Sequence, residues 1–189
     1  DLVLTVEDGV VSAPRLGAGA SNIQLRARVA GGAAEIERLT SQWGSATIEA
    51  SGTIPLEALP PLPVEIPRKG GPATVNASVR DLDPSTIPGM PAGVTGRISL
   101  NLDASAARAD LAALEGRLEF PQLEIALKRL TLAQQEPSQI SISSGQATVR
   151  RLALTGTAGN VNASGTVGLV GERRVDVKVD GALKVAALS

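Results

Sequence analysis

The sequence predicts an all-β protein made of antiparallel strands with one apolar face. Apolar and polar residues alternate with period 2 along most of the chain. Glycines separate one alternating run from the next. Only one stretch, Ala104–Glu115, carries enough good helix formers to turn as a helix.

In chain order, Leu2–Val6 reads as the opening strand. Ile23, Leu25, Ala27 and Val29 then point one way, and Gln24, Arg26 and Arg28 the other. Ala46, Ile48 and Ala50 lead toward Ile54, and Ala73, Val75, Ala77 and Val79 form a further run. Ile98, Leu100 and Leu102 alternate with Ser99, Asn101 and Asp103, and Leu123, Ile125 and Leu127 with Glu124, Ala126 and Lys128. Ile140 and Ile142 follow. Val161, Ala163, Gly165, Val167 and Leu169 make a long run, and Val175, Val177 and Val179 close the series. The total is about a dozen strands. Asp8-Gly9 and Asp180-Gly181 are expected hairpin turns. Ala104–Glu115 is expected to form one or two helical turns with Gly116 past its end, and Pro84–Ile87 a single turn. The Pro-rich stretch Leu59–Pro63 is expected as a loop.

An internal repeat appears at an offset of 113 residues, Ala34 lying over Ala147 and Ile48–Leu56 over Val161–Leu169. The shared core is Ala-Ser-Gly-Thr-(Ile/Val)-x-Leu. The chain is therefore expected to be one continuous domain, 1–189, with repeat-like units at about 1–59 and 94–188 joined by a Pro/Gly-rich 60–93.

Composition narrows function. The chain has no Cys, no His and no Tyr, one Trp (Trp43) and one Phe (Phe120). Zinc fingers, His-ligated haem and Cys- or His-dependent nucleophilic catalysis are excluded. Lys and Arg number 18 against 19 Asp and Glu, with no basic stripe, so no nucleic-acid partner is expected. No carboxylate pair stands in a catalytic context; no enzyme activity and no cofactor are expected. Gly17–Asn22 lacks the third Gly and the Lys of a phosphate loop. Asp81 and Asp83, with Asp103 or Asp110, lack the ligand spacing of a calcium loop, so no metal site is expected. The basic pairs Arg68-Lys69, Lys128-Arg129, Arg150-Arg151 and Arg173-Arg174 suit solvated outer faces, or a rim beside lipid phosphates. Trp43 and Phe120 are expected in the core.

An apolar face this extensive must leave water. A closed barrel, a two-sheet sandwich, and a curled trough covered by something else all satisfy that demand. The order of elements in the C-terminal half bears on the choice: Gly96-Arg97-Ile98-Ser99-Leu100, Leu123–Leu127, Glu136-Pro137 before Ile140–Ile142, Gly145–Leu152, Leu154-Thr155-Gly156, Val161–Leu169 and Val175–Leu183. This order resembles the repeating β-rich region of the TamB and AsmA-like family, well over about 94–188 and more loosely over 1–59. The resemblance rests on element order.

The resemblance implies a U-shaped β-taco, a long curled antiparallel sheet forming an open trough with an apolar concave face. It implies a periplasmic location in a diderm bacterium, with the whole protein anchored to the inner membrane and this chain an internal piece of it. The implied function is conduction of phospholipids between inner and outer membrane, with a role in outer-membrane protein assembly and secretion. The implied partners are phospholipid acyl chains, neighbouring repeats and an outer-membrane barrel. The groove lining would be Ile23, Leu25, Val29, Ile48, Ile54, Val75, Val79, Ile98, Leu100, Leu102, Leu123, Ile125, Leu127, Ile140, Ile142, Val161, Val167, Leu169, Val175, Val177 and Val179. Its open edges would favour edge-to-edge association. The alternative reading is a structural or adhesive β-sandwich or solenoid module of a surface protein, with no lipid ligand.

Overall fold

The computed structural model describes residues 2–12, 19–58, 70–108, 110–171 and 174–183. Alternating side chains and glycine-marked breaks produce twelve strands: β1 (Leu2–Val11), β2 (Ala20–Ala30), β3 (Ala33–Trp43), β4 (Ala46–Pro55), β5 (Ala73–Leu82), β6 (Val94–Ala106), β7 (Leu114–Leu127), β8 (Leu130–Gln134), β9 (Ser138–Ser143), β10 (Gln146–Gly156), β11 (Gly159–Gly168) and β12 (Val175–Leu183). All lie in one antiparallel sheet, and each strand pairs with its neighbour in sequence. The exception is β8 and β9. β8 pairs the second half of β7 and β9 the first half, and β10 pairs both. The two short strands are one strand broken at Gln135-Glu136-Pro137, so the sheet is eleven strand positions wide.

β1 and β12 end the sheet and do not pair with each other, so the described strands do not close into a barrel. The surface supports an open arrangement. A compact 19.2 kDa monomer exposes about 8,400 Å²; this chain exposes 12,126 Å². Among the described residues, the cluster of buried apolar side chains is small. Ala46, Leu82 and Ile98 sit at one end of β4–β6, with Val79, Ile87, Phe120 and Leu123 packed against them. Phe120 thus joins the core, as expected. Trp43 is half-buried, and its indole Nε1 is buried without a hydrogen-bond partner among the described residues.

The repeat holds in register. Ile36 faces Gly52 and Leu39 faces Ala50 in β3–β4; Val149 faces Gly165 and Leu152 faces Ala163 in β10–β11. Each first strand bulges at the same place, Glu37-Arg38 and Arg150-Arg151. Each unit opens on a two-residue turn with both φ positive, Gly31-Gly32 (62°, 90°) and Ser144-Gly145 (50°, 70°), the type I′ geometry of tight hairpins. The Leu56 N–H donates to the Gly32 carbonyl at 2.9 Å, and the Leu169 N–H to the Gly145 carbonyl at 2.8 Å. β5, the alternating run inside the stretch that joins the units, is a regular member of the sheet.

Two expected hairpin turns are not turns. Asp8 (φ 54°) sits in a bulge inside β1, where the register slips between Val6 and Gly9. Asp180-Gly181 lies within β12, paired with Asn162 and Val161. An Asp with positive φ can end a strand or bulge it; cross-strand pairing on both sides decides. Ala104–Ala106 is strand rather than helix, because its small residues continue the ladder to Ala73–Val75. Helical structure there is a single 3-10 turn, Leu111–Ala113, and Pro84–Thr86 forms another; the third, Leu56–Ala58, carries no helix signal in the sequence. Leu59–Pro63, Arg68-Lys69, Gly17-Ala18 and Arg173 lie outside the described residues.

Candidate apolar binding face

In an antiparallel ladder, directly opposed residues share a face. Following the pairs across the sheet therefore shows what each face presents. One row runs Leu4, Ala27, Ile36, Gly52, Val75, Ala104, Gly116, Ile142, Ala147, Val167, Val175. The next runs Val6, Leu25, Leu39, Ala50, Ala77, Leu102, Leu118, Ile140, Val149, Gly165, Val177. Neither row contains a polar side chain. At ~4.8 Å per strand each spans about 48 Å, more than the ~30 Å hydrocarbon core of a bilayer. Of these positions only Ala27 is fully buried; the others are half-buried or exposed. A second sheet packed on this face would bury them all.

The expected groove residues fall on this face. Ile23, Leu25 and Val29 stand on β2, Ile48 and Ile54 on β4, Val75 and Val79 on β5, and Ile98, Leu100 and Leu102 on β6. Leu123, Ile125 and Leu127 stand on β7, Ile140 and Ile142 on β9, Val161 and Val167 on β11, and Val175, Val177 and Val179 on β12. Ile98 is buried, in the end cluster. Leu169 lies just past β11, outside the ladder. Residues not foreseen fill the gaps: Leu4, Val6, Ile36, Leu39, Leu118, Val149 and Leu152. Ile36/Leu39 and Val149/Leu152 are three apart, so period-2 reading splits them between faces. The bulges at 37–38 and 150–151 restore them to one face.

The opposite face is polar, with rows such as Ser51, Asn76, Asp103, Arg117, Ser141, Thr148, Thr166, Asp176. A hollow of about 450 Å³ on this side is lined by Glu37, Arg38, Glu49, Asn76, Asn101, Asp103 and Glu119 among others. No group of metal-binding side chains converges among the described residues. Three of the four aspartates considered for calcium are otherwise engaged. Asp81 pairs with Arg97 at 3.3 Å, and Asp83 accepts the Ser85 N–H at 2.9 Å. Asp110 accepts the Ala112 N–H, which with Arg108 holds its carboxyl below the usual range. Lys128-Arg129 forms the β7–β8 turn, and Arg150-Arg151 the β10 bulge, all exposed.

No helix among the described residues is long and apolar enough to cross a membrane. No protein-family model, curated protein or solved structure matches the chain.

Proposed function

We propose that this chain is a segment of a periplasmic protein similar to the TamB and AsmA-like family, whose apolar face holds acyl chains and passes phospholipids between inner and outer membrane in support of outer-membrane protein assembly and secretion. One observation carries the reading: two adjacent rows of aliphatic residues and glycines cross the sheet without a polar interruption, and no second layer lies over them among the described residues. Each methylene withdrawn from water is stabilised by about 0.8 kcal/mol. An alkyl chain sliding along a uniform row gains as much aliphatic surface ahead as it leaves behind, so translation meets no large barrier. Head groups stay in water at the margins. Such transfer needs continuity of surface and no catalytic residue.

The test is photo-crosslinking in bacterial membranes, with probes replacing Ile125 and Ile140 on the apolar face and Glu124 and Ser141 on the polar face. Phospholipid adducts are expected at the first two positions and not at the second two. Equal labelling of both faces, or no lipid at any position with none in native mass spectra, overturns the proposal.

A further inference from the structure

The connection from β5 to β6 departs from its neighbours. At that end of the sheet β3–β4, β7–β8 and β10–β11 turn in two residues each, Gly44-Ser45, Lys128-Arg129 and Thr157-Ala158. The β5–β6 connection runs from Asp83 to Gly93. This extra chain folds back over the apolar face. Pro84 is fully buried, and Ile87 packs against Ala46, Leu82 and Ile98, the buried cluster at the end of β4–β6.

Its path is fixed by local bonds. The Asp83 carboxylate accepts the Ser85 N–H at 2.9 Å, and the Asp83 carbonyl accepts the Thr86 hydroxyl at 2.7 Å. The Ile87 N–H donates to the Pro84 carbonyl at 3.0 Å, and the Met90 N–H to the Ile87 carbonyl at 3.2 Å. Pro84, Pro88 and Pro91 restrict the backbone further. Gly89 and Gly93, with φ of 87° and 83°, make bends that other residues resist. At the root of the connection the Ser45 hydroxyl donates to the Asp81 carbonyl at 3.0 Å.

We propose that Asp83–Gly93 is a strap that narrows the apolar face at β4–β7 and so regulates the passage of acyl chains. The proposal rests on the lipid reading of that face. Ile98 and Leu102 show the contrast on one strand. Both stand on the apolar face of β6, four residues or about 13 Å apart. Ile98, beside Ile87, is 8 % exposed; Leu102, in an open row, is half-buried. Pro84 and Ile87 are aliphatic, as an acyl chain is, so strap and lipid compete for the same surface. With the strap seated, the two open rows are the path past β4–β7. With it lifted, Leu82, Ile98 and Leu123 join that path. The three prolines favour the seated state, because a strap with few free conformations gains little entropy on lifting.

The chain has no cysteine, so Ile98→Cys and Leu102→Cys each supply a single thiol. Maleimide labelling is expected to be about tenfold or more slower at position 98 than at 102, because 98 reacts only when the strap lifts. Ile87→Asp puts a charge on an apolar seat. It is expected to speed labelling at 98 about tenfold and to leave 102 within about twofold, whereas Ile87→Met keeps 98 slow. Lipid contact is read in phosphatidylethanolamine vesicles carrying a photoactivatable acyl chain, with adducts mapped by mass spectrometry. Adducts are expected at Leu102 and Leu118 in the parent chain, and at Ile98 and Leu123 as well only in Ile87→Asp. No adduct at any of the four in either chain overturns the lipid reading, and this proposal with it. Adducts at Leu102 and Leu118 matched by equal adducts at Ile98 and Leu123 in the parent overturn the strap alone. So do equal labelling rates at 98 and 102, or an Ile87→Asp effect as large at 102 as at 98. The contrast between 98 and 102 in the parent background decides the question even where Ile87→Asp fails to fold.

Discussion

At the residue scale, the two repeat-equivalent glycines Gly52 and Gly165 make the apolar rows possible. Their φ values, 157° and 146°, lie where side chains are strained. A Cβ at either would meet the carbonyl oxygen of the next strand, Thr74 or Asp176. The missing side chain lets adjacent strands approach and keeps the face smooth. Gly52→Ala and Gly165→Ala are each expected to lose about 1–3 kcal/mol in urea denaturation. Gly71→Ala, with nothing within 4 Å of the added atom, is expected to change stability by less than about 0.5 kcal/mol. The glycine was visible in the shared Ala-Ser-Gly-Thr core. Its role was not, because the clash is with a strand whose register only pairing defines.

At the element scale, the break between β8 and β9 is sealed by one side chain. The Gln134 amide donates to the Phe120 carbonyl at 2.7 Å, and its oxygen accepts from the Ser138 hydroxyl at 3.4 Å. Gln134→Ala removes both hydrogen bonds across the break and is expected to cost about 1–3 kcal/mol, with hydrogen exchange accelerating at Ser138–Ile140 before it does in β5. Most strands were readable because one wet face and one apolar face force alternation. Bulges were not, since nothing local separates a positive-φ Asp that turns the chain from one that shifts register, as at Asp8. Asp-Gly in mid-strand, as at Asp180, is equally ambiguous until its partners are known. The broken strand was opaque too, Glu136-Pro137 signalling an interruption but not that both halves share one partner. On the candidate face, residues in clean runs were found, and those beside bulges, Leu39 and Leu152, were missed.

At the scale of the whole molecule, the thin sheet has a thermodynamic signature. From the area of an extended chain, about 1.45 Å² per dalton, unfolding exposes roughly four-fifths of the area that a compact protein of this mass would expose. The urea m-value scales with that area. It is expected to fall about a fifth below that of a compact domain of equal length, and an m-value at or above the compact figure would mean that the apolar face is covered in solution. Pairing between sequence neighbours everywhere but at the broken strand β8/β9 carries a further consequence. Stability behaves as a one-dimensional chain of local couplings, as in solenoids, so opening spreads inward from the rims rather than all at once. Length becomes an adjustable quantity: excising or inserting one hairpin removes or adds two positions, preserves every remaining strand's direction, and leaves distant couplings untouched. The equivalent hairpins β3–β4 and β10–β11 are the unit by which such a ribbon can be lengthened or shortened.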